Sequence, residues 1–182
     1  MTAGEKIFYD LFCAKGYTIQ IPKNNTSKSP DFGVYHGQNL LCWCEVKDKE
    51  DIDNEYFRCP GKKIPDEVKI ILTKIYEAHK QFVAVNPDHS KPNILAFHCD
   101  RIGMSQNDVL DAVFGYVEYE GGHRLYREAK GDADARTMTI KYDIDVFLFH
   151  KNGELSILYN ITYFPESILK SIGIKSGRCS IL

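Results

Sequence analysis

The chain has 182 residues, of which 43% are hydrophobic and 26% are charged, and this composition favours one folded domain with at most an appended subdomain. The formal net charge of -2 excludes the strongly basic composition typical of a dedicated DNA-binding domain, so any nucleic-acid surface must be local. No stretch approaches the roughly 18 apolar residues of a transmembrane helix, and the N-terminus lacks the apolar stretch of a signal peptide. We therefore expect a cytoplasmic protein whose six cysteines are reduced thiols.

The first half of the chain carries helical and strand-like patterns in regular succession. Apolar residues at helical spacing, followed by Gly16, predict a helix that begins near the N-terminus and ends at that glycine. A strongly apolar run over residues 40–46 is typical of a strand in the centre of a sheet. In chain order we predict a helix over 3–15, strands over 17–21, 31–35 and 40–46, a helix over 66–85 and a strand over 93–98.

The rest of the chain predicts an acidic loop and a smaller β-rich part. Residues 48–64 gather acidic side chains ahead of a Pro-Gly pair, and we expect them to form an exposed loop or an insertion. Lys151-Asn152-Gly153 has the composition of a tight hairpin turn. Beyond residue 98 we predict a helix over 107–115, strands over 137–142, 145–149 and 154–163, and a short helix over 166–171.

The predicted order of the first elements is α-β-β-β-α-β, and it is followed by a further helix and several strands. Alternation of helices and strands in this way is typical of an α/β fold with helices packed on a sheet. We divide the chain into a core over 1–115 and a β-rich C-terminal extension over 116–182 that packs on the same domain.

Three charged side chains fall at the ends of two neighbouring predicted strands. Pro30 favours extended backbone around Asp31, which would begin its strand. Glu45 and Lys47 are two residues apart, so the strand period puts both on one face, and a hairpin would bring Asp31 near Glu45. Two carboxylates, with the Val46 carbonyl, could bind a hard cation such as Mg²⁺. Lys47 could orient the attacking water or stabilise the transition state.

The pair Pro30-Asp31 followed by the triplet Glu45-Val46-Lys47 resembles the signature of the PD-(D/E)xK superfamily of restriction-endonuclease-like nucleases. The resemblance covers about residues 3–98 and includes the α-β-β-β-α-β order of that family's core, a mixed central sheet flanked by helices. It implies an enzyme that hydrolyses DNA phosphodiester bonds with Mg²⁺ or Mn²⁺, with Asp31, Glu45 and Lys47 as catalytic residues. Many such nucleases are dimers, so the resemblance also implies a homodimer.

In many members of this family a glutamate on the first helix completes the metal site, and Glu5 would occupy that position. The alternative for Glu5 is to complement the helix dipole from the first turn. For Glu45 and Lys47 the alternative is a solvated pair at the end of a strand. Some families of these nucleases carry a Gln-x-x-x-Tyr motif on the helix after the lysine strand. That motif is absent here, although Lys74 and Gln81 lie on the predicted helix.

Basic residues around this motif are candidates for contact with a phosphate backbone. Lys23 and Lys28 precede Asp31 in a polar loop, and Lys74 lies on the helix after the lysine strand. Each could bind a phosphate, and a solvated lysine is the alternative in every case.

A catalytically inactive member of the same fold, which serves to bind protein or nucleic acid, is the alternative function. The net negative charge and the acidic loop favour it. Cys42 and Cys44 have the opposite strand parity to Glu45, so we expect them to point away from the proposed site. The last four residues, which begin at Cys179, resemble a prenylation box, but chance explains them better and no lipid anchor is expected.

Overall fold

In a computed structural model of the chain, the described residues are 1–22, 29–48, 67–99, 105–114, 116–119, 123–126, 143–159 and 170. The helices are α1 (Ala3–Ala14), α2 (Glu67–Val85) and α3 (Gln106–Phe114). The strands are β1 (Thr18–Gln20), β2 (Phe32–His36), β3 (Asn39–Asp48), β4 (Asn93–His98), β5 (Tyr116–Tyr119), β6 (His123–Tyr126), β7 (Val146–Lys151) and β8 (Glu154–Tyr159). The helices and strands predicted in the first half of the chain are confirmed to within two residues at each end.

Six strands form one mixed sheet in the order β1-β2-β3-β4-β7-β8. β1, β2 and β3 are an antiparallel meander, β4 pairs parallel with both β3 and β7, and β8 returns antiparallel along β7. The parallel pairing of β3 with β4 requires a crossover, and α2 lies in that connection. The mixed sheet with flanking helices confirms the α/β class, whereas the finer restriction-endonuclease-like fold stays a prediction.

The two faces of the sheet carry separate hydrophobic clusters. The face toward α1, here called the α1 face, buries Phe8 and Phe12 of that helix against side chains of β2, β3, β4 and β7. The opposite α2 face buries residues of α2 and α3 against β4 and β7. Cys42 and Cys44 belong to the α1 face, and Trp43 packs against the cluster of the α2 face. The alternation of β3 side chains predicted from the strand period is therefore confirmed.

Two strands of the C-terminal part lie in the central sheet. β7 pairs with β4, and the turn between β7 and β8 has positive φ angles at Asn152 (50°) and Gly153 (82°). Two successive residues with positive φ are typical of a type I′ hairpin turn, so the predicted turn is confirmed. β5 and β6 form a separate two-stranded sheet that we did not predict. The predicted strand over 137–142 and helix over 166–171 lie outside the described residues, except for residue 170.

Asp48 corrects one expectation from the sequence. We expected it to open the exposed acidic loop, but it is the last residue of β3 and is only 5% exposed. Its Oδ2 accepts a hydrogen bond of 2.7 Å from the backbone N–H of Gly4, in the first turn of α1. The rest of the loop, from residue 49 to residue 64, lies outside the described residues.

The close approach of α1 to the end of β3 depends on the absence of a side chain at Gly4. A Cβ at this position would lie 2.8 Å from the Cβ of His98 and 3.0 Å from Asp48 Oδ2. A Cβ atom cannot rotate away, so the helix would have to move. This approach places the N-terminus of α1, and with it Glu5, next to the C-terminal end of β3.

The variant Gly4→Ala is expected to lower the free energy of unfolding by about 1–3 kcal/mol, the usual cost of overpacking a buried contact. At an open helical position the same replacement stabilises a protein by roughly 0.5–1 kcal/mol, so the sign of the change is diagnostic. Urea unfolding followed by circular dichroism measures it. A gain in stability would show that α1 does not pack against His98 as closely as described.

Candidate active site

The carboxylates of Asp31 and Glu45 hold the start of β2 against the C-terminal half of β3. β2 and β3 pair with Phe32 opposite Cys44, which sets Asp31 beside Glu45. The backbone N–H of Asp31 donates to Glu45 Oε2 at 3.1 Å, and the N–H of Val46 donates to Asp31 Oδ2 at 2.8 Å. Each carboxylate thus binds the backbone of the other strand. The structure brings these two predicted site residues together as the hairpin required.

Lys47 joins this pair on the α2 face of the sheet. Its Nζ donates to Glu45 Oε1 at 2.5 Å, and the two side chains are only 12% and 3% exposed, respectively. The alternative of a solvated surface pair is therefore wrong for Glu45 and Lys47. A pair this well shielded from water interacts much more strongly than an exposed one, and loss of either partner leaves an uncompensated charge.

Gln81 on α2 connects the helix to both halves of the site. Its Oε1 lies 3.4 Å from Lys47 Nζ, and its Nε2 donates to the backbone carbonyl of Ser29 at 3.2 Å. Ser29 comes two residues before Asp31, so this one amide bridges the loop before β2 and the lysine of β3. The sequence placed Gln81 on the predicted helix after the lysine strand but did not predict its contact with Lys47. Gln81 comes directly before Phe82, which is buried on α2, and this position beside the buried side of the helix was the available signal.

The electrostatics of the site show an excess of negative charge. Burial and the neighbouring Glu45 carboxylate raise the pKa of Asp31 to about 7, with a smaller contribution in the same direction from Glu5. The hydrogen bond from Val46 N–H and the charge of Lys47 act in the opposite direction and do not compensate. At neutral pH the pair therefore holds a proton for much of the time. A bound cation would stabilise both carboxylates in their charged forms.

Glu5 lies close enough to contribute to this field, but its hydrogen bonds serve the helix. The backbone N–H of Glu5 donates to Thr2 Oγ1 at 3.2 Å, and Glu5 Oε2 accepts from Thr2 N–H at 2.8 Å. This reciprocal pair is a capping box. Glu5 thus acts at the N-terminus of α1, which is where the sequence placed its alternative role. Its role as a metal ligand stays a prediction.

The remaining candidates have other contacts or lie outside the described residues. Lys74 Nζ contacts Glu77 Oε2 at 3.1 Å on α2, and its contact with nucleic acid stays a prediction. Lys23, Lys28 and Cys179 are not among the described residues. Burial raises the pKa of the Cys42 and Cys44 thiols on the α1 face, so both stay protonated and unreactive.

Whether a metal ion fits this site depends on the oxygen atoms that the site offers as ligands. Across the described ranges, no group of three or more His, Cys, Asp or Glu side chains is arranged to hold a metal ion. The Asp31–Glu45 pair supplies two carboxylates, and Mg²⁺ is usually bound through one or two carboxylates, with waters and substrate phosphates as its other ligands. Asp31 Oδ1 accepts no hydrogen bond from the described part of the chain. The pair therefore fits Mg²⁺ or Mn²⁺, but not a closed site made only of protein ligands.

Comparison with known proteins found no relative of this chain. No protein-family model, no curated protein and no solved structure matches the chain. None of the described helices combines the length and apolar character needed to cross a membrane.

Proposed function

We propose that the chain is a divalent-metal-dependent nuclease that hydrolyses phosphodiester bonds of DNA with Mg²⁺ or Mn²⁺. The observation that carries this proposal is that Glu45 contacts both Asp31 and Lys47: its Oε2 accepts from Asp31 N–H and its Oε1 from Lys47 Nζ at 2.5 Å. Two carboxylates with an adjacent ammonium group meet the needs of phosphodiester hydrolysis, which are a site for a cation and positive charge near the phosphate.

Each residue has a separate task in this reaction. Asp31, Glu45 and the Val46 carbonyl would hold the cation, which when bound neutralises phosphate charge and lowers the pKa of a bound water. Lys47 stabilises the negative charge that develops on the phosphate oxygens, and it can orient the water that attacks. Gln81 positions Lys47 through its 3.4 Å contact and holds the loop before Asp31 through the Ser29 carbonyl.

The test is incubation of the purified chain with supercoiled plasmid, single-stranded DNA and branched DNA, each with Mg²⁺, with Mn²⁺ and with EDTA. We expect nicked or shortened products only with the metals. No cleavage of any substrate would contradict the proposal, and so would cleavage that persists in EDTA. The resemblance also implies a homodimer, and light scattering of the same preparation would test it.

A second candidate is an inactive domain of the same class that binds protein or nucleic acid. The observation that favours it is that both carboxylate oxygens of Glu45 are already engaged, Oε2 by the N–H of Asp31 and Oε1 by Lys47. In that case the cluster would be a structural link between β2 and β3. Titration of the chain with Mg²⁺ in a calorimeter separates the two candidates, because the structural link has no need of a cation.

A further inference from the structure

A cavity of about 500 Å³ opens on the sheet next to the candidate active site. Its lining comes from the end of β1 and the two residues that follow, and from one aromatic residue each of β2 and β3: Gln20, Ile21, Pro22, Tyr35 and Trp43. This volume lies within the range of cavities that hold small organic ligands. β1 is an edge strand of the sheet, so the cavity lies at the edge of the fold.

Two aromatic rings converge in this cavity over a glycine. A Cβ at Gly33 would lie 2.8 Å from Tyr35 Cε2 and 3.2 Å from Trp43 Cζ3. Both rings therefore lie directly over the backbone of β2, in space that any other residue at position 33 would fill. Tyr35 and Trp43 are each partly buried, so part of each ring faces the cavity.

The cavity and the carboxylate pair share one face and the same two strands. Trp43 comes two residues before Glu45 on β3, and its partner Gly33 comes two residues after Asp31. A strand rises about 3.3 Å per residue, so the two places are separated by about 7 Å along the strands. Lys47 Nζ contacts Glu45, so a phosphate bound at the Asp31–Glu45 pair and a base over Trp43 could belong to the same nucleotide or to adjacent ones.

We propose that this cavity is a subsite for an unpaired nucleobase beside the scissile phosphate, so that the substrate class is single-stranded or locally unpaired DNA. This inference rests on the proposed nuclease function and names its substrate. Aromatic rings stack on any base, and the amide of Gln20 offers both a donor and an acceptor for a base edge. A base inside a duplex cannot reach such a cavity without leaving its stack.

The charge of the chain supports the same substrate. At a formal net charge of -2, the chain has no overall basic surface with which to hold a duplex through many phosphates. Stacking does not depend on phosphate neutralisation, and each stacked base typically accounts for about a 5- to 150-fold change in affinity. One base held in an aromatic cavity thus supplies affinity that the surface charge does not.

Trp43 is the single tryptophan of the chain, so its fluorescence reports on this cavity alone. The experiment titrates the Lys47→Met variant, in EDTA so that the residual metal-dependent cleavage is prevented, with a short single-stranded oligonucleotide, with the same sequence as a blunt duplex, and with an abasic single strand. We expect the single strand to quench the fluorescence, the duplex to bind at least tenfold more weakly, and the abasic strand to leave the fluorescence unchanged. Equal quenching by the abasic strand, equal affinity for the duplex, or no quenching would each overturn the proposal.

A variant of the second ring gives an independent measurement. Tyr35→Ala is expected to weaken single-strand binding by about 5- to 150-fold. The matched control is Tyr76→Ala on α2, where the ring is 40% exposed and lies outside the cavity lining, and it should leave affinity unchanged. Equal effects of the two variants would overturn the proposal. If Tyr35→Ala does not fold, Gly33→Ala displaces both rings and should weaken binding in the same direction.

Failure of this inference is distinguishable from failure of the proposed function. Metal-dependent cleavage by the wild-type chain without quenching of Trp43 removes the subsite and leaves the nuclease in place. Quenching by single-stranded DNA without cleavage in either metal removes the nuclease and leaves a binding site for unpaired bases. Equally tight binding of a free mononucleotide would overturn the assignment of a DNA strand as the ligand.

Discussion

The variant Lys47→Met is expected to slow metal-dependent DNA cleavage by about 10²- to 10³-fold, the usual effect of removing one group that stabilises developing charge. Methionine preserves most of the length of the lysine side chain but removes the ammonium group, with its charge and its contacts to Glu45 and Gln81. The contact of Lys47 Nζ with Glu45 at 2.5 Å puts that charge beside the proposed cation site. Single-turnover rates on an oligonucleotide cleaved by the wild-type chain, at saturating Mg²⁺, measure the loss.

The matched control for this prediction is Lys80→Met. Lys80 lies on α2 with its ammonium group 4.2 Å from the ring centre of Tyr76, on the exposed side of the helix. It carries the same charge as Lys47 but does not contact the carboxylate pair. The control should cleave at the wild-type rate. A loss below tenfold in Lys47→Met, or the same loss in both variants, would remove Lys47 from the catalytic residues.

The variant Asp31→Asn is expected to stabilise the metal-free chain at pH 8 by up to about 4 kcal/mol while leaving its stability near pH 4 unchanged. The pKa of Asp31 is raised to about 7 in the folded chain, chiefly by burial and by the charge of Glu45. The folded chain therefore binds this proton more tightly than the unfolded chain. Stability from Asp31 is fully present below about pH 4 and is lost as the pH rises toward 7, so the neutral amide avoids that loss.

Urea unfolding of the wild-type chain and of Asp31→Asn in EDTA, at pH 4.5, 6 and 8, measures this effect. The asparagine Oδ1 can still accept the hydrogen bond from Val46 N–H, so the backbone contact at 2.8 Å is retained. The difference between the two proteins should grow with pH. A constant difference across this range, or a difference that shrinks as the pH rises, would show that Asp31 is ionised in the folded chain at low pH.

The part of the site that lies on one hairpin was predictable from local rules. The period of the strand placed Glu45, Lys47 and Trp43 on one face, and the pairing of β2 with β3 brought Asp31 to Glu45. Strand period and hairpin pairing act between residues that are near in sequence, so the sequence alone carries enough information for both.

The contacts that the sequence did not predict join distant parts of the chain. Gln81 reaches Lys47 only because α2 packs on the sheet at one particular rotation, which the helical pattern does not specify. Asp48 is buried because Gly4 lets α1 approach β3, across 44 residues. The pairing of β5 with β6 was different, because Val117 and Tyr119 alternate with Glu118 ahead of a Gly-Gly pair, a local signal that we did not use.

Binding of Mn²⁺ tests the central claim, that Asp31 and Glu45 hold a divalent cation, more directly than any assay of cleavage. Electron paramagnetic resonance of free Mn²⁺ gives the number of ions bound per chain, for the wild type, for Glu45→Gln and for the control Glu77→Gln, whose side chain is 45% exposed on α2. We predict about one ion per chain for the wild type and the control, and loss of binding in Glu45→Gln. No binding to the wild type, or equal binding to all three, would contradict the assignment of this site.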